Sequence, residues 1–238
     1  IQSQISNGKN QLLGPTAFAK IAGNFYEEKV AAIFALYQRK LESNNALDFD
    51  DLLRLTVELL EKNEDVRNRW QQQFQYVLID EYQDTNHVQY RMARILAASH
   101  RNLFVVGDID QSIYGWRGAD IKNILDFEKD YPKAQVIKLE ENYRSTQVIL
   151  EAANAVISHN SQRREKNLWT RQEGGESIRF FLASDDKQES QFICDTIKEY
   201  IQEKKANYGD IAVLYRTNAQ SRGIEEAFMR TGLPYTLV

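Results

Sequence analysis

Two short apolar runs that end in acidic residues place the strongest constraint on the fold of this chain. They are YVLID at 76–80 and NLFVVGD at 102–108, and apolar and polar residues do not alternate in either. Such runs are typical of strands that are buried on both faces of a parallel sheet. Residues 86–98 lie between them and carry apolar side chains at helical spacing. This order predicts two parallel strands that are joined by a right-handed crossover.

The same alternation continues after residue 120 and predicts an α/β fold, in which helices cover a parallel sheet. Runs of strand length alternate there with segments of helical periodicity. The predicted strands are 134–145, 177–184 and 210–218, and the predicted helices are 121–131, 146–160, 187–204 and 220–232.

The segment before the first strand is predicted to be helical and charged over residues 1–44. Asp48 precedes an amphipathic stretch at 49–60, and Asp is a favoured N-cap residue. The chain has one cysteine, Cys194, which we expect to pack as a small apolar residue. A single cysteine fits a reducing compartment, and we expect a cytoplasmic location. No apolar run approaches the roughly 20 residues of a membrane span.

The first strand runs directly into Asp80 and Glu81, and Asp84 follows three positions later. An apolar strand that ends in Asp-Glu is the pattern of a Walker B element. In such an element the Asp holds Mg²⁺ and the Glu orients or deprotonates the attacking water. The alternative is a solvated turn that happens to carry two acids. The strand ends of a parallel sheet are where ligands bind, which favours the first interpretation.

The second strand opens into VVGDIDQSIYGWRGAD at 105–120. Gln111 is placed there to sense a phosphate or a water. Tyr114, Trp116 and Arg117 combine flat faces with a positive charge, which stacking on unpaired bases requires. The alternative is that Trp116 belongs to the core. The net charge of −4 gives no overall basic signature, so nucleic-acid binding would depend on a local surface such as this one.

Two later segments carry weaker signals. In LEENYRST at 139–146, Tyr143 could stack on a base and Arg144 could contact a γ-phosphate. The basic run at 161–171 contains Arg163, Arg164, Lys166 and Arg171, and either binds phosphates or forms a solvated face.

Four motifs together resemble the superfamily 1 DNA helicases of the UvrD/PcrA/Rep type, and most closely their PcrA-like branch. They are DEYQDTN, GDIDQSIYGWRGA, LEENYRST and AVLYRTNAQSR, in the order and approximate spacing of that family. The resemblance covers essentially the whole chain. It implies a RecA-like P-loop NTPase fold, with parallel sheets and flanking helices. It divides the chain into the end of an inserted helical subdomain (1–45), the C-terminal part of a first RecA-like domain (46–142) and the N-terminal part of a second (143–238).

The resemblance also implies a role for each motif residue. Asp80 and Glu81 would bind Mg²⁺, with Glu81 as the catalytic base, and Gln83 and Asp84 would position that motif. Gln111 would sense the γ-phosphate of ATP, Tyr143 would stack on the adenine, and Arg144 would be the arginine finger. The residues implied in DNA binding are Tyr114, Trp116, Arg117, Arg216 and Asn218.

The implied activity is coupling of Mg-ATP hydrolysis to translocation on single-stranded DNA and to duplex unwinding, in DNA repair or replication. The implied partners are single-stranded DNA, duplex junctions and loading proteins of repair or replication. The sequence departs from the family in one respect: no G-x-x-x-x-G-K-[ST] phosphate loop is present, and Gly8-Lys9 lacks the upstream glycine. We therefore interpret the chain as a central piece of a helicase and expect it to be inactive in isolation. The alternatives are a non-catalytic DNA-binding or interaction module and a subunit of a helicase–nuclease.

Overall fold

The structure is a computed structural model that describes residues 1–160 and 166–238. Arg163 and Arg164 of the basic run lie outside the described residues. The chain forms two compact units, Ile1–Glu173 and Gly174–Val238. The division at 1–45, 46–142 and 143–238 stays a prediction.

The first unit contains nine of the helices described here and both strands. They are α1 (Gln2–Asn10), α2 (Pro15–Ile21), α3 (Phe25–Ser43), α4 (Phe49–Lys62), α5 (Glu64–Gln73), β1 (Val77–Ile79), α6 (His87–Ala97), β2 (Leu103–Val105), α7 (Lys122–Leu125), α8 (Phe127–Asp130) and α9 (Gln147–Ile157). The second unit contains α10 (Asp186–Gln202) and α11 (Asn218–Thr231).

The strands β1 and β2 form a parallel pair, as the sequence predicts. Val77 lies opposite Leu103 and Ile79 lies opposite Val105. The helix α6 connects the two strands, so the strand–helix–strand unit is confirmed. Asn86 caps α6 by accepting a hydrogen bond from the Gln89 backbone N–H at 2.9 Å. The carboxyl ends of both strands therefore meet at one edge, where the acidic residues follow.

The prediction that these strands are buried on both faces is wrong. Leu78 is 71% exposed and Phe104 is 59% exposed, while their neighbours along each strand are half-buried. Successive side chains of a strand point to opposite faces. In the described part of the chain the sheet has two strands, and it is covered on one face.

The predicted strands at 134–145, 177–184 and 210–218 are not strands in the structure. The first of these segments makes one isolated bridge, between Glu141 and Trp169. A strand is completed by hydrogen bonds to a neighbouring segment, and apolar composition alone does not supply that neighbour. The predicted helices are present, although the one at 121–131 is divided into α7 and α8.

The N-terminal helices share a small apolar core and a buried ion cluster. The core is formed by Ile5, Phe18, Val30, Ala31 and Phe34. Beside it, the Lys9 side chain is fully buried, and its Nζ lies 2.7 Å from Asp48 and 2.8 Å from Asp51. Asp48 also caps α4 by accepting from the Asp51 backbone N–H at 2.8 Å, which confirms the predicted N-cap. This cluster fixes α1 against the start of α4.

The second unit is held by the packing of α10 against α11. Its core contains Cys194, which is fully buried and confirms the expectation of an apolar role. The other core members are Ile197, Ala227, Phe228 and Leu233. Among the described residues of the whole chain, no helix is both long and apolar enough to cross a membrane.

Candidate functional site

The edge of the sheet brings the two acidic segments together. Pairing continues past the strands, because the Val106 N–H donates to the Ile79 carbonyl at 2.8 Å and the Tyr82 N–H donates to the Val106 carbonyl at 2.9 Å. We call residues 80–86 the acidic loop and residues 112–119 the aromatic loop. The acidic loop starts where β1 ends, and Gly107 and Asp108 lie beside it.

Glu81 has a left-handed backbone conformation, with φ of 50° and ψ of 42°. A non-glycine residue pays roughly 1–2 kcal/mol for this region, so the surrounding contacts must hold it there. One such contact is the Glu81 N–H, which donates to the Asp80 carboxylate at 2.9 Å. The sharp turn presents both side chains to solvent at the end of β1.

A buried amide connects the ends of the two strands. Gln83 is 1% exposed. Its Nε2 donates to the Glu81 carboxylate at 2.7 Å, and its Oε1 accepts from the Asp108 backbone N–H at 3.0 Å. Gln83 therefore holds the Glu81 side chain in one orientation and ties it to the segment that leads to Gln111.

Gly107 is the position that lets Gln83 reach across. A Cβ atom there would lie 2.6 Å from the Gln83 Oε1 and 2.9 Å from the Ile124 Cδ1. Both distances are shorter than a normal contact, so an added methyl group would displace the Gln83 amide. The sequence motif contains this glycine, but the need for it is visible only in the structure.

We predict that Gly107→Ala lowers the free energy of unfolding by about 1–3 kcal/mol, as overpacking typically does. Urea unfolding of the full-length gene product, followed by circular dichroism, measures the change. Gly209→Ala is the matched control, because nothing lies within 4 Å of a Cβ at Gly209. Equal stability of the two variants would contradict the role of Gly107.

Asp84 supplies a buried carboxylate oxygen that lacks a donor. Among the described residues its Oδ1 has no hydrogen-bond partner, and its Oδ2 is 3.4 Å from the Gln83 Nε2. A buried anionic oxygen without a donor is unfavourable and favours a nearby cation. No group of three or more His, Cys, Asp or Glu residues in the described part of the chain is arranged to hold a metal. One or two carboxylates fit Mg²⁺, which completes its shell with water and phosphate oxygens.

Gln111 is exposed, and its side chain is bonded to Asp108, the residue that also bonds Gln83. The Gln111 Nε2 donates to the Asp108 carboxylate at 2.8 Å. Asp108 also accepts a hydrogen bond from Lys166, whose Nζ lies 3.1 Å from Asp110. Burial raises the pKa of Asp108, but the hydrogen bonds from Lys166, Gln111 and the Asp110 N–H outweigh it and lower that pKa below its usual range. The carboxylate that holds Gln111 is therefore ionised at neutral pH.

The aromatic loop presents a flat, positively charged surface to solvent. Trp116 is 70% exposed and Tyr114 is 37% exposed, so the interpretation of Trp116 as a core residue is wrong. The guanidinium of Arg117 lies 4.6 Å from the Trp116 ring centroid and 5.3 Å from that of Tyr114. Exposed rings beside a guanidinium are suited to stacking on bases and contacting phosphates.

Tyr143 and Arg144 lie in an exposed turn of the first unit. The Asn142 side chain accepts from the Arg144 backbone N–H at 3.0 Å. Tyr143 donates to Glu141 at 3.0 Å, and this hydrogen bond and the Glu141 charge raise the pKa of Tyr143. Among the described residues, no hydrogen bond or ion pair joins Tyr143 or Arg144 to Asp80 or Glu81.

The comparisons with known families cover the chain in two parts. Residues 1–132 match the UvrD/REP helicase N-terminal domain, and residues 137–238 match the UvrD-like helicase C-terminal domain. The chain belongs to the UvrD/REP helicase family. Its membership agrees with the motif order that the sequence shows.

Two curated relatives illustrate the extent of the match. The ATP-dependent DNA helicase PcrA of Leuconostoc citreum is 51% identical over 238 residues, which are 100% of this chain and 32% of that protein. The ATP-dependent DNA helicase PcrA of Staphylococcus aureus strain Mu50 is 51% identical over 234 residues, which are 98% of this chain and 32% of that protein. The chain thus spans 32% of the length of these relatives.

Arg216 and Asn218 belong to the second unit of this helicase-family chain. The Gln220 side chain accepts from the backbone N–H groups of Arg216 and Thr217, at 3.1 and 2.9 Å. The Thr217 side chain completes a capping box at the start of α11. Arg216 and Asn218 are exposed at this helix start.

Proposed function

We propose that this chain is part of an ATP-dependent DNA helicase, in which Mg-ATP hydrolysis drives movement along single-stranded DNA. One observation carries the proposal. Glu81 lies on the segment that follows β1, the exposed Trp116 lies on the segment that follows β2, and the two strands end at one edge of the sheet. Gln83 connects these segments through hydrogen bonds to Glu81 and to Asp108. Family membership and the names of the relatives support the same function.

The proposed fold is RecA-like, with the two partial domains that the sequence predicts. The parallel pair β1–β2, with α6 as its connection, supports this assignment for the first domain. The positions of polar residues beyond the strand ends support it further, because open parallel sheets bind ligands there.

In the proposed mechanism, Mg²⁺ would supply neutralisation of phosphate charge and polarisation of the γ-phosphoryl group when bound. Asp80 would hold the ion, with Asp84 as a nearby carboxylate. Glu81, oriented by Gln83, would accept a proton from the attacking water. Gln111 would contact the γ-phosphate, and Arg144 would approach it as an arginine finger.

The remaining assignments concern ligand binding. Tyr143 is 75% exposed and presents a ring on which an adenine can stack. In the first unit, Trp116, Tyr114 and Arg117 would hold the bases and phosphates of single-stranded DNA. In the second unit, Arg216 and Asn218 are also proposed to bind DNA. Proteins that load helicases in repair or replication are the proposed partners.

The direct test is phosphate release by the full-length gene product, with and without single-stranded oligothymidylate. Turnover that rises on addition of the oligonucleotide supports the helicase assignment. Oligonucleotide binding without turnover would instead favour the non-catalytic DNA-binding module.

We predict that Trp116→Ala raises the Kd for oligothymidylate by roughly 5- to 150-fold, because one base loses a stacking contact that is typically worth about 1–3 kcal/mol. Fluorescence anisotropy of a labelled oligonucleotide measures this. Phe25→Ala is the control, since Phe25 is 72% exposed and also has a cation beside its ring, with the Lys29 Nζ at 4.9 Å, but lies outside the proposed DNA contacts. An unchanged Kd for the Trp116 variant would count against the stacking role.

A further inference from the structure

A second buried connection joins the acidic loop to the end of the aromatic loop. The Thr85 carbonyl accepts from the Asp120 backbone N–H at 3.0 Å and from the Asn123 Nδ2 at 2.9 Å. The Asn123 Nδ2 also lies 3.2 Å from the Thr85 hydroxyl. Asn123 stands on the short helix α7, directly after the aromatic loop. The C-terminal end of the acidic loop is therefore hydrogen-bonded to the residues that follow the aromatic loop.

The next residue extends this connection to the N-terminal helices. Asn86 forms an isolated antiparallel bridge with Ala119. Its Nδ2 donates to the Asn10 Oδ1 at 2.7 Å. The Asn10 Nδ2 in turn donates to the Asp50 carboxylate at 3.1 Å. Helix α1, helix α4 and both loops thus meet at one buried network of side-chain amides.

The members of this network are nearly inaccessible to solvent. Asn10 and Asn86 are 9% exposed, Thr85 is 8% exposed and Asn123 is 7% exposed. Hydrogen bonds in such surroundings are stronger than in water, and a satisfied network of them holds the groups that it joins rigidly together. Glu81 and Trp116, which lie in the same two loops, are by contrast exposed.

We propose that Asn123 and Asn10 are positioning residues that couple occupancy of the aromatic loop to the position of Glu81. Displacement of the aromatic loop by a bound strand moves Ala119 and Asp120. Asn123 and the backbone bond at Thr85 pass this movement to the acidic loop, and Asn10 supplies the fixed point on α1. The inference rests on the proposed function and adds to it the residues that transmit the signal.

The test uses Asn123→Ala in the full-length gene product. The Thr85 carbonyl keeps its bond from the Asp120 N–H, and the Thr85 hydroxyl keeps its own bond to the Tyr82 carbonyl at 2.7 Å, so both groups retain a partner after the substitution. We expect the factor by which oligothymidylate stimulates phosphate release to fall by about fivefold or more, the lower end of typical coupling between sites. Turnover without oligonucleotide should stay within about twofold of the wild type, which is much less than the loss of coupling.

Gln71→Ala is the matched control. Gln71 is 9% exposed and its Nε2 donates to the Ile95 carbonyl at 2.6 Å. Among the described residues, its side chain makes no hydrogen bond to the acidic loop or the aromatic loop. The Ile95 carbonyl likewise keeps a backbone donor, from Ala98. A general loss of packing would affect both variants, whereas a loss of coupling would affect only Asn123→Ala. Asn10→Ala is a second variant, for which we expect the same loss of stimulation.

Hydrogen exchange gives a readout that does not depend on turnover. In the wild type, oligothymidylate should slow exchange of the amides in the acidic loop. In Asn123→Ala and Asn10→Ala, the oligonucleotide should protect the aromatic loop as before, and its protection of the acidic loop should be weaker than in the wild type.

Two results would overturn the proposal, and only the second of them would also refute the proposed function. A stimulated wild type with equal stimulation and equal protection in the asparagine variants refutes the coupling role alone. A wild type that is neither stimulated by oligothymidylate nor protected by it refutes the coupling role together with the proposed function.

Discussion

The substitution Glu81→Gln is expected to lower DNA-stimulated ATP turnover of the full-length gene product by about two to four orders of magnitude, the usual contribution of a positioned general base. Nucleotide binding should persist, because the substituted side chain keeps an oxygen that can accept a hydrogen bond from the Gln83 Nε2. In the wild type this Nε2 lies 2.7 Å from the Glu81 carboxylate. Phosphate release and titration with a fluorescent ATP analogue measure the two quantities separately.

The matched control for this change is Glu64→Gln. Glu64 is exposed in the first turn of α5 and also loses a negative charge on substitution. We expect its turnover to be close to that of the wild type. If Glu81→Gln retained turnover at the level of Glu64→Gln, the general base would have to be another residue.

The second large effect concerns stability. We expect Lys9→Met to lower the free energy of unfolding by about 3–5 kcal/mol, the typical cost of removing one partner from a buried ion pair. Lys9 and Asp51 have fully buried side chains, and Asp51 would keep Arg54 at 3.2 Å and the Gln38 amide at 3.1 Å. These contacts do not replace a buried ammonium group at 2.8 Å.

Urea unfolding of the full-length gene product measures this loss, and hydrogen exchange locates it in the N-terminal helices. Lys29→Met is the control, because Lys29 is exposed and lies 4.9 Å from the Phe25 ring without a carboxylate partner in the described part of the chain. Its effect should stay within about 0.5 kcal/mol, as for most surface substitutions. A Lys9 variant as stable as the Lys29 variant would show that the ion cluster contributes little.

The same cluster predicts a pH dependence. Burial raises the pKa of Asp51, but hydrogen bonds from Lys9 and Gln38 outweigh it, and the pKa lies below the usual aspartate value of 3.8. A carboxylate with a lowered pKa stabilises the fold above its unfolded pKa, and this stability is lost as the pH falls through the folded pKa. Without Lys9 the lowering is reduced, so unfolding of Lys9→Met should begin at a higher pH than that of the wild type.

Local patterns in the sequence predicted much of the secondary structure. Asp48 forms the expected N-cap, and the segment 86–98 contains the expected helix between two parallel strands. These features depend on contacts within a few residues, such as a side chain that accepts from a backbone N–H three positions later. They are therefore readable from the chain itself.

The strand predictions after residue 133 failed for the opposite reason. The segments 134–145, 177–184 and 210–218 have the composition of strands but no ladder in the structure. Strand formation depends on a partner segment that is distant in sequence. The burial of β1 and β2 was misjudged likewise, because it depends on what covers each face of the sheet.

The same distinction between local and distant contacts applies to the candidate site. The sequence by itself determined the family, the motif order and the candidates Asp80, Glu81 and Trp116, because these depend on residue type and spacing. Only the tertiary structure decided that Gln83 bridges two strand ends, that Gly107 leaves room for it, and that a buried amide network joins the acidic and aromatic loops. Those contacts join residues that are up to 76 positions apart, and the local pattern of a chain does not specify which distant groups will meet.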